Sequence, residues 1–201
     1  MRELIVATRN QGKLREIREL LKDFDLKITS LADYEGLPEI VEDGATFESN
    51  AVKKATVIGR HTGKLVLGED SGLEVGALGN QPGIYSARFS GPQATDEKNN
   101  AKLLRALKGV PPLKRQARYR CFAAVADGEK LVGVVNGSCS GLIAEKRSGQ
   151  NGFGYDPLFL IPRYNKTFGA LDPAVKARIS HRARALEKLK KLLAGYLKPL
   201  R

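Results

Sequence analysis

Cysteine is nearly missing from this chain of 201 residues: Cys121 and Cys139 are the two thiols, and they lack the clustered spacing of a zinc site or a redox motif. A disulfide framework like that of small secreted domains is therefore excluded, and a reducing compartment is expected. Both thiols read as strand or core residues. Histidine is equally scarce and forms no cluster, which leaves zinc without a ligand set, and His61 reads as a helix-end surface residue. No apolar run is long enough to span a bilayer, and the apolar part of MRELIVATRN is too short for a secretory signal. No linker, internal repeat or low-complexity tract interrupts the sequence. The expectation is one soluble, cytoplasmic α/β domain spanning 1–201, with two lobes and a length sufficient to bury its own core.

Acidic charge is also in short supply relative to basic charge, leaving a formal net charge of +12. Such an excess suits polyanions, whether nucleic acid or nucleotide. Many of the cations fall in ARALEKLKKLLAGYLKPLR, between Leu186, Leu189, Leu192 and Leu193, which mark an apolar stripe. That pattern describes a solvated helix face. The few aromatics do not alternate with basic residues along strands, so a single-strand nucleic-acid platform is not indicated and no stable nucleic-acid or membrane partner is expected.

Hydrophobic periodicity predicts strand–helix alternation in the first half. A strand over ELIVAT precedes a helix over 11–23 that buries Leu14, Ile17, Leu20 and Leu21; a short strand near 26–29 and a helix over 46–59 follow. The apolar run LVL at 65–67 reads as a third strand ending in an acidic turn, GEDSG, and a Gly/Pro-rich loop over 76–92 leads to a helix over 96–108. In the second half, RYRCFAAVADGEKLVGVVNGSC predicts a hairpin around Asp127-Gly128, which makes the sheet mixed. A glycine-rich loop over 148–155, a strand over PLFLIP and a helical end from about Pro173 complete the order.

Polar residues gather at the element junctions. TRNQGK ends a strand and opens a helix, where backbone N–H groups and Lys13 suit an anion, although the pattern is not a Walker A loop. In EDGATFESNAVKKA, Asp43 suits the helix-capping region, and Asn50 and Lys54 share a helix face. Asn is a poor helix former, so its place in mid-helix suggests a task. Glu42, Glu69 and Asp70 form a candidate hard-cation set, because Mg²⁺ takes oxygen ligands, commonly one or two carboxylates together with phosphates.

Together these stretches resemble the Ham1-like family of inosine/xanthosine triphosphate pyrophosphatases. The resemblance lies in Thr8, Asn10 and Lys13, in EDGATFESNAVKKA at 42–55, in EDSGLEVGALGNQPGIYSARFSG at 69–91, in NGFGYDPLF at 151–159 and in ISHRARAL at 179–186. It implies a long mixed β-sheet flanked by helices, with two lobes around a central nucleotide-binding cleft, usually as a homodimer. The implied reaction, Mg²⁺-dependent, converts ITP, dITP or XTP to the monophosphate and pyrophosphate, removing deaminated purines from the nucleotide pool. By the same resemblance, Thr8, Asn10, Lys13 and Lys54 hold the triphosphate, Asp70 is the general base, and Glu42 and Asp70 are metal-linked with Glu69 beside them. Ser71 is a substrate contact, Phe153, Gly154, Tyr155 and Asp156 form the base-pocket segment, and Lys176, His181 and Arg182 complete the nucleotide site. The chain departs from the family pattern at Gly76, Asn151, Ala170 and Ala183. Arg182 offers only donors, which suits the C6 oxygen of hypoxanthine and xanthine and opposes the amino group of adenine.

Overall fold

The computed structural model describes residues 2–197, so the last residues of the expected basic helix, 198–201, lie outside the described residues. In chain order the elements are β1 (Arg2–Val6), α1 (Gln11–Leu20), β2 (Leu26–Ser30), α2 (Phe47–Thr62), β3 (Leu65–Val75), β4 (Gln81–Pro82), α3 (Asp96–Ala106), β5 (Gln116–Asp127), β6 (Lys130–Ile143), β7 (Phe159–Ile161), β8 (Lys166–Thr167), α4 (Pro173–Ile179) and α5 (His181–Tyr196). The strands form one eight-stranded sheet in the order β2-β1-β3-β5-β6-β7-β8, with β4 paired to β3. It is mixed, as expected: β1 runs parallel to β2 and β3, whereas β7 is antiparallel to β6 and β8.

The chain divides into two compact units. The first takes the described residues up to Asp70, Cys121–Gly137 and the chain from Arg182 onward. Its strands alternate between two cores, since successive side chains point to opposite faces. Leu65 and Leu67 join Leu14, Ile17 and Leu21 of the α1 segment and Leu186, Leu189 and Leu193 of α5. Val66 instead meets Ile58 of α2, with Ile5, Ala7 and Leu31. Each buried Leu or Ile of this kind contributes about 1.5–3 kcal/mol through lost contact with water.

The second unit takes Ser71–Arg120 and Ser138–His181. Its core is more aromatic, with the Tyr119 ring 4.6 Å from Phe159 and Phe159 5.1 Å from Phe168, centroid to centroid. Leu73, Leu103, Leu107 and Ile143 pack around these rings.

Three local readings change. The segment GEDSG is not a turn: β3 continues through it to Val75. Gly68 marks a close approach, because a Cβ there would collide with the Ala51 carbonyl oxygen and lie 2.6 Å from the Ala55 nitrogen of α2. Helix α2 is capped by Thr46, whose hydroxyl accepts from Ser49 N–H at 3.0 Å, while Asp43 forms an ion pair with Lys53 at 2.6 Å. The helical end after Pro173 is two helices, since Ser180 is extended (ψ 160°) and its N–H returns to the Lys176 carbonyl.

Candidate active site

Strand alternation places the adjacent acids of β3 on opposite faces. Asp70 faces α2, like Gly68 two residues before it. Its Oδ1 lies 3.2 Å from Lys54 Nζ, and its Oδ2 accepts from Asn50 Nδ2 at 3.2 Å. Asn50 in turn accepts the Gly44 N–H at 2.8 Å, which fastens the segment before α2 and gives this mid-helix amide its task. Lys54 Nζ also reaches Glu42 Oε1 at 2.9 Å and the Glu69 carbonyl at 3.2 Å. One ammonium therefore gathers two carboxylates on one side of the strand. Burial raises the Asp70 pKa above the ordinary aspartate value, although the charges of Lys54 and Lys13 oppose it. For Lys54, burial disfavours the charge, but Asp70 and Glu42 outweigh it and raise the pKa.

Glu69 lies on the other face with its carboxylate fully buried. Lys13 Nζ is 2.7 Å from Oε2, while Arg182 Nη2 and Cys121 Sγ are each 3.2 Å from Oε1. Arg182, itself 1% exposed, also pairs through Nη1 with Glu16 of α1. Burial would raise the Glu69 pKa, but the charges of Lys13 and Arg182 prevail and hold it well below the usual carboxylate range. Burial and the neighbouring Glu69 charge push the Cys121 thiol well up. The structure thus separates Glu69 from Glu42 and Asp70, with which it had been grouped as a metal-linked acid: its oxygens are turned to cations.

The loop leading into α1 is shaped by the expected phosphate residues. Asn10 caps the helix by accepting Lys13 N–H at 3.0 Å, and Thr8 Oγ1 accepts Asn10 N–H at 3.1 Å. These contacts fix the backbone at the positive end of α1 and direct Lys13 toward Glu69.

The remaining site residues belong to the second unit. Asp156 and Lys176 are buried and paired at 2.6 Å, and Asp156 also accepts Phe153 N–H at 2.9 Å. Lys176 Nζ stands 5.1 Å from the half-buried Phe153 ring. The imidazole of His181 lies parallel to Tyr119, 4.5 Å away. Gly154 is left-handed (φ 61°), a conformation that suits glycine. Its N–H donates to Asp96 at 2.6 Å and its carbonyl accepts from Asn100 at 2.8 Å. Tyr155, placed by the resemblance in the base-pocket segment, is a core residue whose hydroxyl donates to the Ser86 carbonyl at 2.8 Å. Ser71 is half-buried on β3.

The predicted residues therefore form two groups. Lys13, Glu42, Lys54, Glu69, Asp70 and Arg182, with Thr8 and Asn10 in the adjoining loop, lie in the first unit; Ser71, Phe153, Gly154, Tyr155, Asp156, Lys176 and His181 lie in the second. Neighbours in sequence, His181 and Arg182 enter different surroundings. Glu16, Cys121, Asp96 and Asn100 were not among the predicted site residues. Glu16 alone carried a local signal, three residues after Lys13 on the same helix.

The Ham1 family model matches residues 4–192, and this chain belongs to that family. It is similar to the dITP/XTP pyrophosphatase of Desulforamulus reducens, 48% identical over 95% of each chain. The dITP/XTP pyrophosphatase of Shouchella clausii is 47% identical over 97% of this chain and 98% of its own. Among solved structures, a HAM1 protein from Coxiella burnetii superposes with a TM-score of 0.88 at 38% identity, covering 97% of this chain and 100% of that one.

Proposed function

We propose that this protein is a nucleoside triphosphate pyrophosphatase that hydrolyses dITP, ITP and XTP to the monophosphate and pyrophosphate. The observation that carries the reading is the buried Asp70, its carboxylate held between Lys54 and Asn50 and beside Glu42. The full-length similarity to dITP/XTP pyrophosphatases supports the same reaction and substrate class.

Hydrolysis requires a water oxygen to bond to the α-phosphorus as the bond to the α–β bridging oxygen breaks, with one water proton transferred to a base. Asp70 is suited to accept that proton, because its raised pKa brings it nearer neutrality than an exposed aspartate. Lys13 and Lys54 would offset charge on the phosphates and on departing pyrophosphate.

Glu42 and Asp70 converge on the Lys54 ammonium, so their carboxylates suit a Mg²⁺ ion that completes its coordination with phosphate oxygens and water. Among the described residues no group of three or more His, Cys, Asp or Glu could by itself hold a metal ion. Bound there, the ion would supply charge neutralisation at the phosphates. Glu69 does not fit as a ligand, because both its oxygens face cations or a thiol.

The Phe153 ring, backed by the Asp156–Lys176 pair, supplies a flat apolar surface beside polar groups and suits a purine. On this reading the protein acts in the cytoplasm as a homodimer. A nucleotide panel with Mg²⁺ and identification of both products tests the reaction: pyrophosphate and monophosphate from dITP and XTP support it, whereas orthophosphate and diphosphate, or binding without turnover, refute it.

A further inference from the structure

We propose that Glu69 is a positioning residue, a single buried carboxylate that holds Lys13 and Arg182 in place, with Cys121 orienting it. This rests on the phosphate-handling role given above to the first unit. Alternation along β3 turns Glu69 away from Asp70 and toward α1 and α5, where Lys13 takes Oε2 while Arg182 and Cys121 share Oε1. A carboxylate so enclosed remains charged only through its partners.

Lysine carries its charge on a flexible four-carbon stem that can adopt many rotamers. Pairing with a fixed carboxylate selects one. An ammonium has three donors, so Glu69 can hold Lys13 by one while the others serve a phosphate. Arg182 is held between Glu69 and Glu16, which fixes the plane of its guanidinium. The Cys121 thiol stays protonated because of burial and the Glu69 charge, and its hydrogen can donate to Oε1. Three elements, α1, α5 and β5, are thus tied to one residue of β3.

The test begins with the wild type: if dITP and ITP yield no pyrophosphate, the proposed reaction fails independently of Glu69. With turnover established, Glu69→Gln, Lys13→Ala and the double variant are compared for ITP and ATP across Mg²⁺ concentrations, with melting temperatures. Glu69→Gln is expected to raise KM for both triphosphates about tenfold, as loss of a charged positioning contact would. The Mg²⁺ concentration for half-activation should not move. The double variant should lose less than the product of the single losses, because Glu69 acts partly through Lys13. Multiplicative losses would overturn the proposal, as would a raised Mg²⁺ requirement with KM intact, or a lower melting temperature with unchanged kinetics. If Glu69→Gln does not fold, Cys121→Ala and Cys121→Ser carry the test. Alanine should raise KM about two- to threefold through loss of a weak donor, and serine should restore it. A KM unmoved by alanine, or not restored by serine, overturns the assignment.

Discussion

The two units handle buried charge differently. In the first, Glu69 and Arg182 are linked with Glu16 and Lys13 on one side of β3, while Asp70, Lys54 and Glu42 meet on the other. In the second, the buried pair Asp156–Lys176 lies beside aromatic rings, with Lys176 Nζ 5.1 Å from Phe153 and 5.8 Å from Phe168. A linked set of charges suits a ligand or reaction in which charge moves, whereas a buried pair beside flat rings suits recognition of shape and hydrogen bonding. Substitutions at Lys13 and Lys54 of the first unit should therefore affect every triphosphate alike, and those around Phe153 in the second should alter preference among bases.

The largest effect is expected at Asp70. Asp70→Asn preserves shape and removes the proton acceptor, so kcat should fall about a hundredfold or more while nucleotide binding persists. Pyrophosphate release at saturating ITP and Mg²⁺ measures this, and near-normal turnover would remove Asp70 from the chemistry. Next is Lys54→Ala. It leaves Asp70 and Glu42 without the ammonium between them, so stability should drop by about 3–5 kcal/mol, as when one partner of a buried pair is deleted. KM should rise by a similar factor for ITP, XTP and ATP. A change confined to one base would contradict the division between the units.

Many of the candidate site residues were legible in the sequence, because they stand in local motifs whose order matches the family. The strand–helix alternation and the hairpin at Asp127-Gly128 were legible from periodicity and turn chemistry. Less accessible was the course of β3. Glycine at 68 has the composition of a turn, and only the proximity of the α2 backbone shows that the missing side chain serves close packing. Once β3 is read as continuous, Glu69 and Asp70 must face opposite ways. Arg182 was legible as a site residue through its motif, but its partners were not, since Glu69 and Glu16 lie 113 and 166 residues away along the chain. Tyr155 entered the base-pocket segment through the family motif, and an aromatic in such a segment suits either a pocket or a core. Its buried hydroxyl bond to Ser86 decides for the core.

A smaller effect should separate the units at Gly154. Asn100→Leu removes the donor to its carbonyl, while Asp96→Asn retains an acceptor for its N–H. Asn100→Leu should lower kcat/KM for ITP about three- to tenfold, by loosening the turn that carries Phe153, and change ATP less. Asp96→Asn should remain within about twofold. Equal losses for ITP and ATP would show that the turn does not govern base preference.

The smallest effects are in stability and should appear at opposite ends of the pH scale. The Glu69 pKa is depressed in the folded protein, so its contribution is present above the unfolded value, near 4.5, and is lost as pH falls through the lower folded value. The melting-temperature difference between wild type and Glu69→Gln should accordingly be constant near neutrality and shrink in acid. Tyr155 behaves in the opposite sense: burial, and then the Asp96 charge, raise its pKa, which favours the neutral phenol in the folded chain. Its contribution is complete below the unfolded value, about 10, and is lost as pH rises from there toward the folded value. Tyr155→Phe removes both the ionisation and the hydrogen bond to Ser86, costing about 1 kcal/mol at neutral pH. Melting curves of the wild type and both variants from acid to alkaline pH measure the two responses together. Above pH 10 the Tyr155→Phe curve should approach that of the wild type, because the unfolded wild type gains an ionised phenolate that the variant cannot form. A gap that stays constant through that range would show that the phenol ionises alike in the folded and unfolded chain, leaving the second unit without an alkaline counterpart to Glu69.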